Sequence, residues 1–212
     1  MDQDLPEETE DSQKFENKET DQDVDYSNIN LRKIDLSDVD DFMEWLTDEK
    51  VSKFCSWNPY PSRESAINYL TTRVLPHPWH KAICIKNKPI GTISVSPFSG
   101  QEKCRAEIGY VIGSKYWGKG IATKAVKIVI STIFLEWTTL ERLEALVDVD
   151  NIGSQRVMEK AGFTKEGVLR KFCLMKGKPR DMVMYSFIVS DDPKVYARGN
   201  PIKHVEASSK PN

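Results

Sequence analysis

Apolar and polar residues follow two different periods along this 212-residue chain, and the periods divide it into elements. Short apolar runs bounded by turn residues, at Ile29–Ile34, His80–Lys86, Ile90–Val95 and Ala106–Ile112, read as strands. In the second of these, Ala82 and Cys84 alternate with charged or polar neighbours, and Asn87-Lys88-Pro89 supplies turn chemistry behind it. Helical spacing takes over elsewhere. Val39, Phe42, Met43 and Leu46 recur behind Ser37, where Ser37-x-x-Asp40 resembles a capping box. Ser62 opens a second helix through Ala66, Ile67, Leu70 and Val74, which Pro76 stops. Between these helices, Phe54–Pro61 holds two prolines together with Cys55, Trp57 and Tyr60 and reads as an ordered aromatic loop.

The longest helical pattern starts at Thr123 and carries Ala125, Val126, Val129, Ile130, Ile133 and Phe134 on one broad face, so it packs on a sheet. Leu143–Val149 is a further strand. A short helix follows, with Asn151 as N-cap, Val157, Met158 and Ala161 at helical spacing, and Gly162 as C-cap. Phe163–Leu174 and Met182–Val189 form a last strand pair joined through Lys176-Gly177-Lys178-Pro179. This order predicts an α/β fold, a single domain with one mixed central β-sheet flanked by about four α-helices.

Charge sets the domain limits. Residues 1–25 hold eleven acidic residues against two lysines, net −9, and the remainder carries 28 basic and 21 acidic residues, net +7. A segment so acidic and so poor in apolar residues cannot bury enough surface to offset its ordering entropy. The expectation is a disordered acidic tail over residues 1–27, a domain over 28–190, and a loose tail over 191–212 with Pro193, Pro201 and Pro211. The first tail is a solubilising extension or, less simply, a docking segment.

It lacks the apolar core of a secretory signal and the acid-poor character of a transit peptide. No stretch approaches ~18 consecutive apolar residues, so no membrane span is expected. Cys55, Cys84, Cys104 and Cys173 form no CxxC pair, and His77, His80 and His204 show no metal-ligand spacing, so no metal is expected. Reduced thiols point to the cytoplasm or nucleus. Scattered basic residues without a zinc-finger or RNA-recognition string argue against nucleic acid. Oligomeric state is not encoded in any such pattern.

One segment specifies a ligand. Trp117-Gly118-Lys119-Gly120-Ile121-Ala122 lies between the strand ending at Ile112 and the long helix. Glycines in such a turn let backbone N–H groups close on a phosphate, and the positive end of the helix dipole favours the negative charge. Two nucleotide readings fail on spacing. No Gly-x4-Gly-Lys-Ser/Thr string exists, and the third glycine of a dinucleotide fingerprint is replaced by Thr123.

The spacing instead resembles the acyl-CoA loop of the GNAT superfamily of N-acetyltransferases, Gln/Arg-x-x-Gly-x-Gly/Ala, with Gly120 and Ala122 at its small positions and Trp117 where Gln or Arg is usual. Tyr116–Thr123 reproduces the Tyr-Trp-Gly-Lys-Gly-x-Ala-Thr string of the RimJ/RimL-like branch. About thirty residues on, Asn151-x-x-Ser154 with Lys160-Ala161-Gly162-Phe163 is similar to the superfamily's second cofactor element. The resemblance covers approximately Leu31 to Val189.

It implies acetyl-CoA as donor and a primary amine as acceptor, attacking directly in a ternary complex. It places Tyr110, Val111 and Ile112 along the pantetheine arm, and Trp117, Gly118, Lys119, Gly120, Ile121, Ala122 and Thr123 at the pyrophosphate. Asn151 and Ser154 then contact the pantetheine amide and sulfur region. Glu107 matches the position of a catalytic glutamate in histone-type members; the alternative is a structural carboxylate. Ser154 is the expected proton donor to the thiolate, against a plain first-turn helix hydroxyl, with Tyr110 and Tyr185 as competitors. Lys119 is a phosphate contact or an ordinary solvated lysine. The RimL-type glutamate of the penultimate strand is replaced by Cys173, which cannot act as a carboxylate base.

The acceptor pocket is expected between Phe54–Pro61 and Met175–Arg180, with a basic rim of Lys53, Arg63, Lys176, Lys178 and Arg180. That rim favours a peptide, such as a protein N-terminal α-amine, or a small neutral amine. A polyamine acceptor, an acyl-CoA-binding module without chemistry, and an interaction protein working through its acidic tail are the alternatives.

Overall fold

The computed structural model describes residues 28–191, so the expected tails, 1–27 and the part of 191–212 beyond residue 191, lie outside the described residues. The elements are β1 (Ile29–Lys33), α1 (Val39–Leu46), α2 (Glu49–Ser52), α3 (Arg63–Tyr69), β2 (His80–Ile85), β3 (Lys88–Pro97) and β4 (Arg105–Ile112). They are followed by α4 (Ile121–Glu136), β5 (Arg142–Asp148), α5 (Ile152–Ala161), β6 (Thr164–Met175) and β7 (Lys178–Ile188). All seven strands lie in one sheet of order β1-β2-β3-β4-β5-β7-β6. Neighbours are antiparallel except β4 and β5, which makes the sheet mixed, as the element order predicts.

Side-chain alternation along β4 assigns the two faces. Ala106, Ile108 and Ile112 pack in a core that includes α4 and part of α5, whereas Val111 packs with the cluster built from α1, α2 and α3. The α4 face buries Ile121, Ala125, Val126, Val129, Ile130, Ile133 and Phe134. At about 1.5–3 kcal/mol for each large apolar side chain fully buried, this face anchors the helix firmly on the sheet. In the other cluster, Phe42 and Trp45 stack at 4.6 Å between ring centroids.

Several boundaries differ from the sequence expectation, each for a local reason. Asp35, not Ser37, opens the first helical segment: its carboxylate accepts from Ser37 N–H at 2.9 Å, and Asp38 accepts from Asp35 N–H at 2.9 Å. A carboxylate is the stronger acceptor, so it takes the cap, and Asp40 instead pairs with Arg63 at 2.7 Å. Ser62 caps α3 as expected, accepting from Ser65 N–H. The chain then widens beyond Tyr69, where Leu75 N–H reaches Leu70 O at 2.8 Å across five residues.

The turn after β2 falls at Lys86-Asn87 (φ 47° and 66°), not at Asn87-Lys88-Pro89. Two consecutive positive φ values are the two-residue hairpin geometry that matches strand twist. Pro89 therefore lies inside β3, at a register shift opposite Ile83/Cys84 that accommodates its missing N–H. The β6–β7 hairpin repeats the device at Lys176-Gly177 (φ 50° and 75°), so β6 shifts one residue from its expected run and β7 starts four residues before Met182.

Candidate active site

The parallel pair β4 and β5 runs in register only through Arg105/Arg142, Ala106/Leu143 and Glu107/Glu144. Beyond Glu107 the strands part. The Gly109–Ile112 half of β4 keeps its β3 partner but has none on the β5 side, so its backbone groups there are open to a ligand. A cavity of about 810 Å³ occupies the parting.

The glycine loop forms one wall. Gly118 (φ 76°) and Gly120 (φ 75°) both take left-handed backbone conformations, which only glycine adopts without strain. A Cβ added at either would meet no protein atom within 4 Å. Gly120 is the N-cap of α4, whose start at Ile121 is two residues earlier than the Thr123 start expected from the apolar spacing, and its carbonyl accepts from Lys124 N–H at 3.1 Å. The N–H groups of Ile121, Ala122 and Thr123 therefore belong to the first turn, which has no intrahelical acceptor to offer them. All three residues line the cavity.

Trp117, the residue at the irregular position, donates its indole N–H to Ile112 O at 2.8 Å. It braces the loop against the end of β4 while its half-exposed ring faces the cavity.

The opposite wall is the start of α5. Asn151 Oδ1 accepts from Ser154 N–H at 3.1 Å, the N-cap expected, and Gly162 (φ 99°) ends the helix. Asn151 N–H is already bonded to Asp148 O at 2.9 Å, so the Ser154 hydroxyl is not needed to satisfy the cap. It meets the Tyr110 hydroxyl across the parting, 2.5 Å away. Tyr110 is largely buried, and burial pushes its phenol up to about 12, so it is protonated at neutral pH.

Of the site residues expected from sequence, Tyr110, Val111, Ile112, Trp117, Gly118, Gly120, Ile121, Ala122, Thr123, Asn151 and Ser154 all line this one cavity. Lys119 and Glu107 do not. Tyr185 is also apart: it is fully buried and its hydroxyl donates to Glu159 Oε1 at 3.1 Å.

Glu107 occupies the last paired rung before the strands separate, on the side-chain parity of Val111 and therefore on the α1–α3 face. Burial, and secondarily the nearby charge of Glu144, raise its carboxyl above the usual carboxylate range. Glu144, its partner across the rung, and Asp148, four residues farther along β5, are both bound by arginines. Glu144 accepts from Arg105 at 3.0 Å and Arg142 at 2.8 Å, and Asp148 is gripped by Arg180 through two contacts of 2.6 Å. Glu107 has no hydrogen bond or ion pair of this kind among the described residues.

The cavity wall also contains residues the sequence reading missed. Arg156 and Lys160, four apart on α5, present two cations beside the glycine loop. Their spacing behind Asn151 was the available signal. Phe54 and Cys55, from the aromatic loop expected to bound the acceptor pocket, close the far end together with Val51 of α2, which the sequence reading did not name. Burial raises the Cys55 thiol to about 11, and it donates to Val51 O at 3.3 Å, so it is an inert thiol.

The expected basic rim is corrected by pairing. Arg180 is also tied to Asp150 at 2.8 Å, Lys176 donates to Ser52 O at 2.8 Å, and Arg63 is paired with Asp40. Of the rim's five cations, Arg63 and Arg180 are therefore paired with carboxylates, and Lys176 is held on a backbone carbonyl with its charge intact. The Lys176 contact also fastens the β6–β7 hairpin to α2.

Residues 28–164 match the Acetyltransferase (GNAT) domain. The chain belongs to the GNAT acetyltransferase family. It is 32% identical over 166 residues to "Uncharacterized N-acetyltransferase p20" of Bacillus licheniformis, a match covering 76% of this chain and 92% of that protein. Its fold is similar to the crystal structure of a GNAT-family acetyltransferase from Bacillus anthracis, with a TM-score of 0.70 and 24% identity over 79% of this chain and 98% of that one. A shorter match, 33% over 79 residues, covers 37% of this chain and 42% of the Escherichia coli spermidine N(1)-acetyltransferase.

This GNAT domain is an acyltransferase with acetyl-CoA as its donor. The residues present suit that ligand. Open space above two left-handed glycines, the uncapped first turn of α4, and the cations Arg156 and Lys160 fit an elongated polyphosphate. The unpaired edge of β4 fits an amide-bearing arm.

Proposed function

We propose that this GNAT domain acetylates the α-amine of a peptide N-terminus by direct attack in a ternary complex. The first turn of α4 would hold the pyrophosphate, with Arg156 and Lys160 beside it. Open backbone groups of β4 and the Asn151–Ser154 turn would hold the pantetheine arm. Bound acetyl-CoA supplies an acetyl thioester. Glu107 removes the ammonium proton of the acceptor, and Ser154 offers its hydroxyl proton to the departing sulfur. Because Glu107 lies on the α1–α3 face, the acceptor would enter from that side, between the aromatic loop and the β6–β7 hairpin.

The observation that carries this reading is Glu107 itself: a half-buried carboxylate with a raised pKa and no cation of its own, beside an acid, Glu144, that two arginines hold. A carboxyl base suits an α-amine better than an alkylamine. With a pKa of about 8, an α-amine is about one-tenth neutral at pH 7, whereas an alkylamine near 10.4 is neutral in well under one molecule per thousand. The resemblance of Tyr116–Thr123 to the RimJ/RimL-like loop supports the same choice. A polyamine reading draws on the spermidine-acetylating relative. It would need several free carboxylates, and Glu144 beside Glu107 and Asp148 farther along β5 are both bound to arginine.

The test is mass spectrometry after incubation with labelled acetyl-CoA and three acceptors: a lysine-free peptide with a free N-terminus, an N-blocked peptide containing lysine, and spermidine. Label on the first is expected. Label on spermidine alone overturns the acceptor assignment, and CoA binding without thiol release from any acceptor overturns the catalytic one.

A further inference from the structure

The parting between β4 and α5 is bridged by one hydrogen bond that catalysis at Ser154 does not by itself require. Tyr110 reaches from β4 to Ser154 Oγ at 2.5 Å, and both residues line the cavity. A serine in the first turn of a helix ordinarily turns its hydroxyl back on its own backbone. Here the hydroxyl meets the tyrosine instead. Asn151 Oδ1 caps Ser154 N–H, Asn151 N–H is taken by Asp148 O, and the Ser154 hydroxyl is left to the tyrosine.

Direction follows from acidity, since a phenol is a stronger acid than an alkanol and the better donor. A second, longer approach of the Tyr110 hydroxyl to Ser154 O, at 3.5 Å, agrees with the tyrosine as donor to this turn. With Tyr110 donating, one lone pair of Ser154 Oγ is engaged from the sheet side and the serine's own proton is turned away, toward the cavity.

We propose that Tyr110 is a positioning residue for catalysis: it donates to Ser154 Oγ, fixes the serine rotamer, and directs the serine proton at the sulfur of the acyl donor. The inference rests on Ser154 as the proton donor. In the transfer, the amine nitrogen bonds the acetyl carbon, and the carbon–sulfur bond breaks with its electron pair on sulfur. Ser154 supplies the proton that makes the free thiol. Ser154 is then reprotonated from solvent while Tyr110 keeps its own proton, and the proton lost by the amine nitrogen leaves through Glu107 to solvent. No net proton is gained or lost by the protein.

The experiment compares Tyr110→Phe, Ser154→Ala and the double variant. Tyr110→Phe is expected to lower kcat about tenfold, the size of one neutral hydrogen bond, with the acetyl-CoA KM within about twofold of the parent. Calorimetric CoA affinity and thermal midpoint should stay near the parent values. The double variant should be no slower than Ser154→Ala, because the tyrosine acts through the serine. A further readout needs neither substrate. The tyrosine Fermi doublet in the Raman difference spectrum between the free parent protein and free Ser154→Ala should show loss of a donor bond.

Parent-level kcat in Tyr110→Phe, losses that multiply in the double variant, or a Raman signature of Tyr110 as acceptor each overturn the proposal. Full kcat in Ser154→Ala overturns the Ser154 assignment instead, so the two failures are distinguishable. The Raman measurement on Ser154→Ala decides the direction even if Tyr110→Phe does not fold.

Discussion

Gly120 is where one substitution separates folding from ligand binding. Its φ of 75° lies in the left-handed region, and an alanine Cβ there would meet no protein atom within 4 Å, so Gly120→Ala suffers no collision inside the protein. The cost to folding is backbone strain alone, about 1–2 kcal/mol for a left-handed L-residue. For a domain of this size that is a fall of roughly 2–8 °C in thermal midpoint. Gly120→Asn relieves much of the strain, because Asn tolerates this conformation. Both side chains nonetheless occupy the space above the first turn of α4, where the phosphate should lie.

Losing one charge-assisted hydrogen bond from that turn costs about 1.5–3 kcal/mol, or roughly 10- to 150-fold in acetyl-CoA affinity. Calorimetry with CoA and thermal melts of both variants check the two effects separately. Alanine should lose stability and affinity, and asparagine mainly affinity. Parent affinity in both variants would refute the assignment of this turn to the pyrophosphate, and an unchanged melt for alanine would refute the strain argument.

Other consequences follow from the charges. Glu107→Gln should lower kcat about 10²–10⁴-fold with a smaller change in KM, measured by thiol release. The folded state raises the Glu107 carboxyl, so its ionisation opposes folding. The glutamine variant should gain stability over the parent as pH rises through the Glu107 titration, and urea melts at acid and neutral pH that show no such divergence refute the burial argument. Glu166 is depressed to about 2, chiefly by hydrogen bonds from Arg142 and then Ser186. Its stabilisation is present above the ordinary carboxylate value of 4.5 and lost as pH falls toward 2, so Glu166→Gln should flatten acid unfolding in that window. Arg156→Ala with Lys160→Ala should weaken CoA binding, and the loss should shrink at high salt; salt-independent loss argues against a phosphate contact.

The glycine loop and the Asn151 turn were legible in the sequence because their chemistry is local. A left-handed φ selects glycine at 118, 120 and 162, and an N-cap selects Asn151, whatever the rest of the chain does. The element order was legible for the same reason, since apolar period reports which face of each segment is buried. Boundaries slipped where two local options compete, as with Asp35 over Ser37 at the first cap and Lys86-Asn87 over Asn87-Lys88-Pro89 at the hairpin.

Tertiary structure alone decided the rest. The parting of β4 from β5 after Glu107 places Tyr110 against Ser154, residues 44 apart in the chain. Ion pairing takes Arg63 and Arg180 out of the expected basic rim and leaves Glu107 without a cation beside its arginine-bound strand partner Glu144. The α2 segment carries Val51 into the cavity wall beside Phe54 and Cys55 of the expected aromatic loop. A charge or hydroxyl owes its chemical role to its partners, and those partners are set by strand register and helix packing over long sequence separations. Local backbone chemistry determined where this protein could hold a phosphate; only the folded sheet determined which acid is free to act and which hydroxyl is aimed.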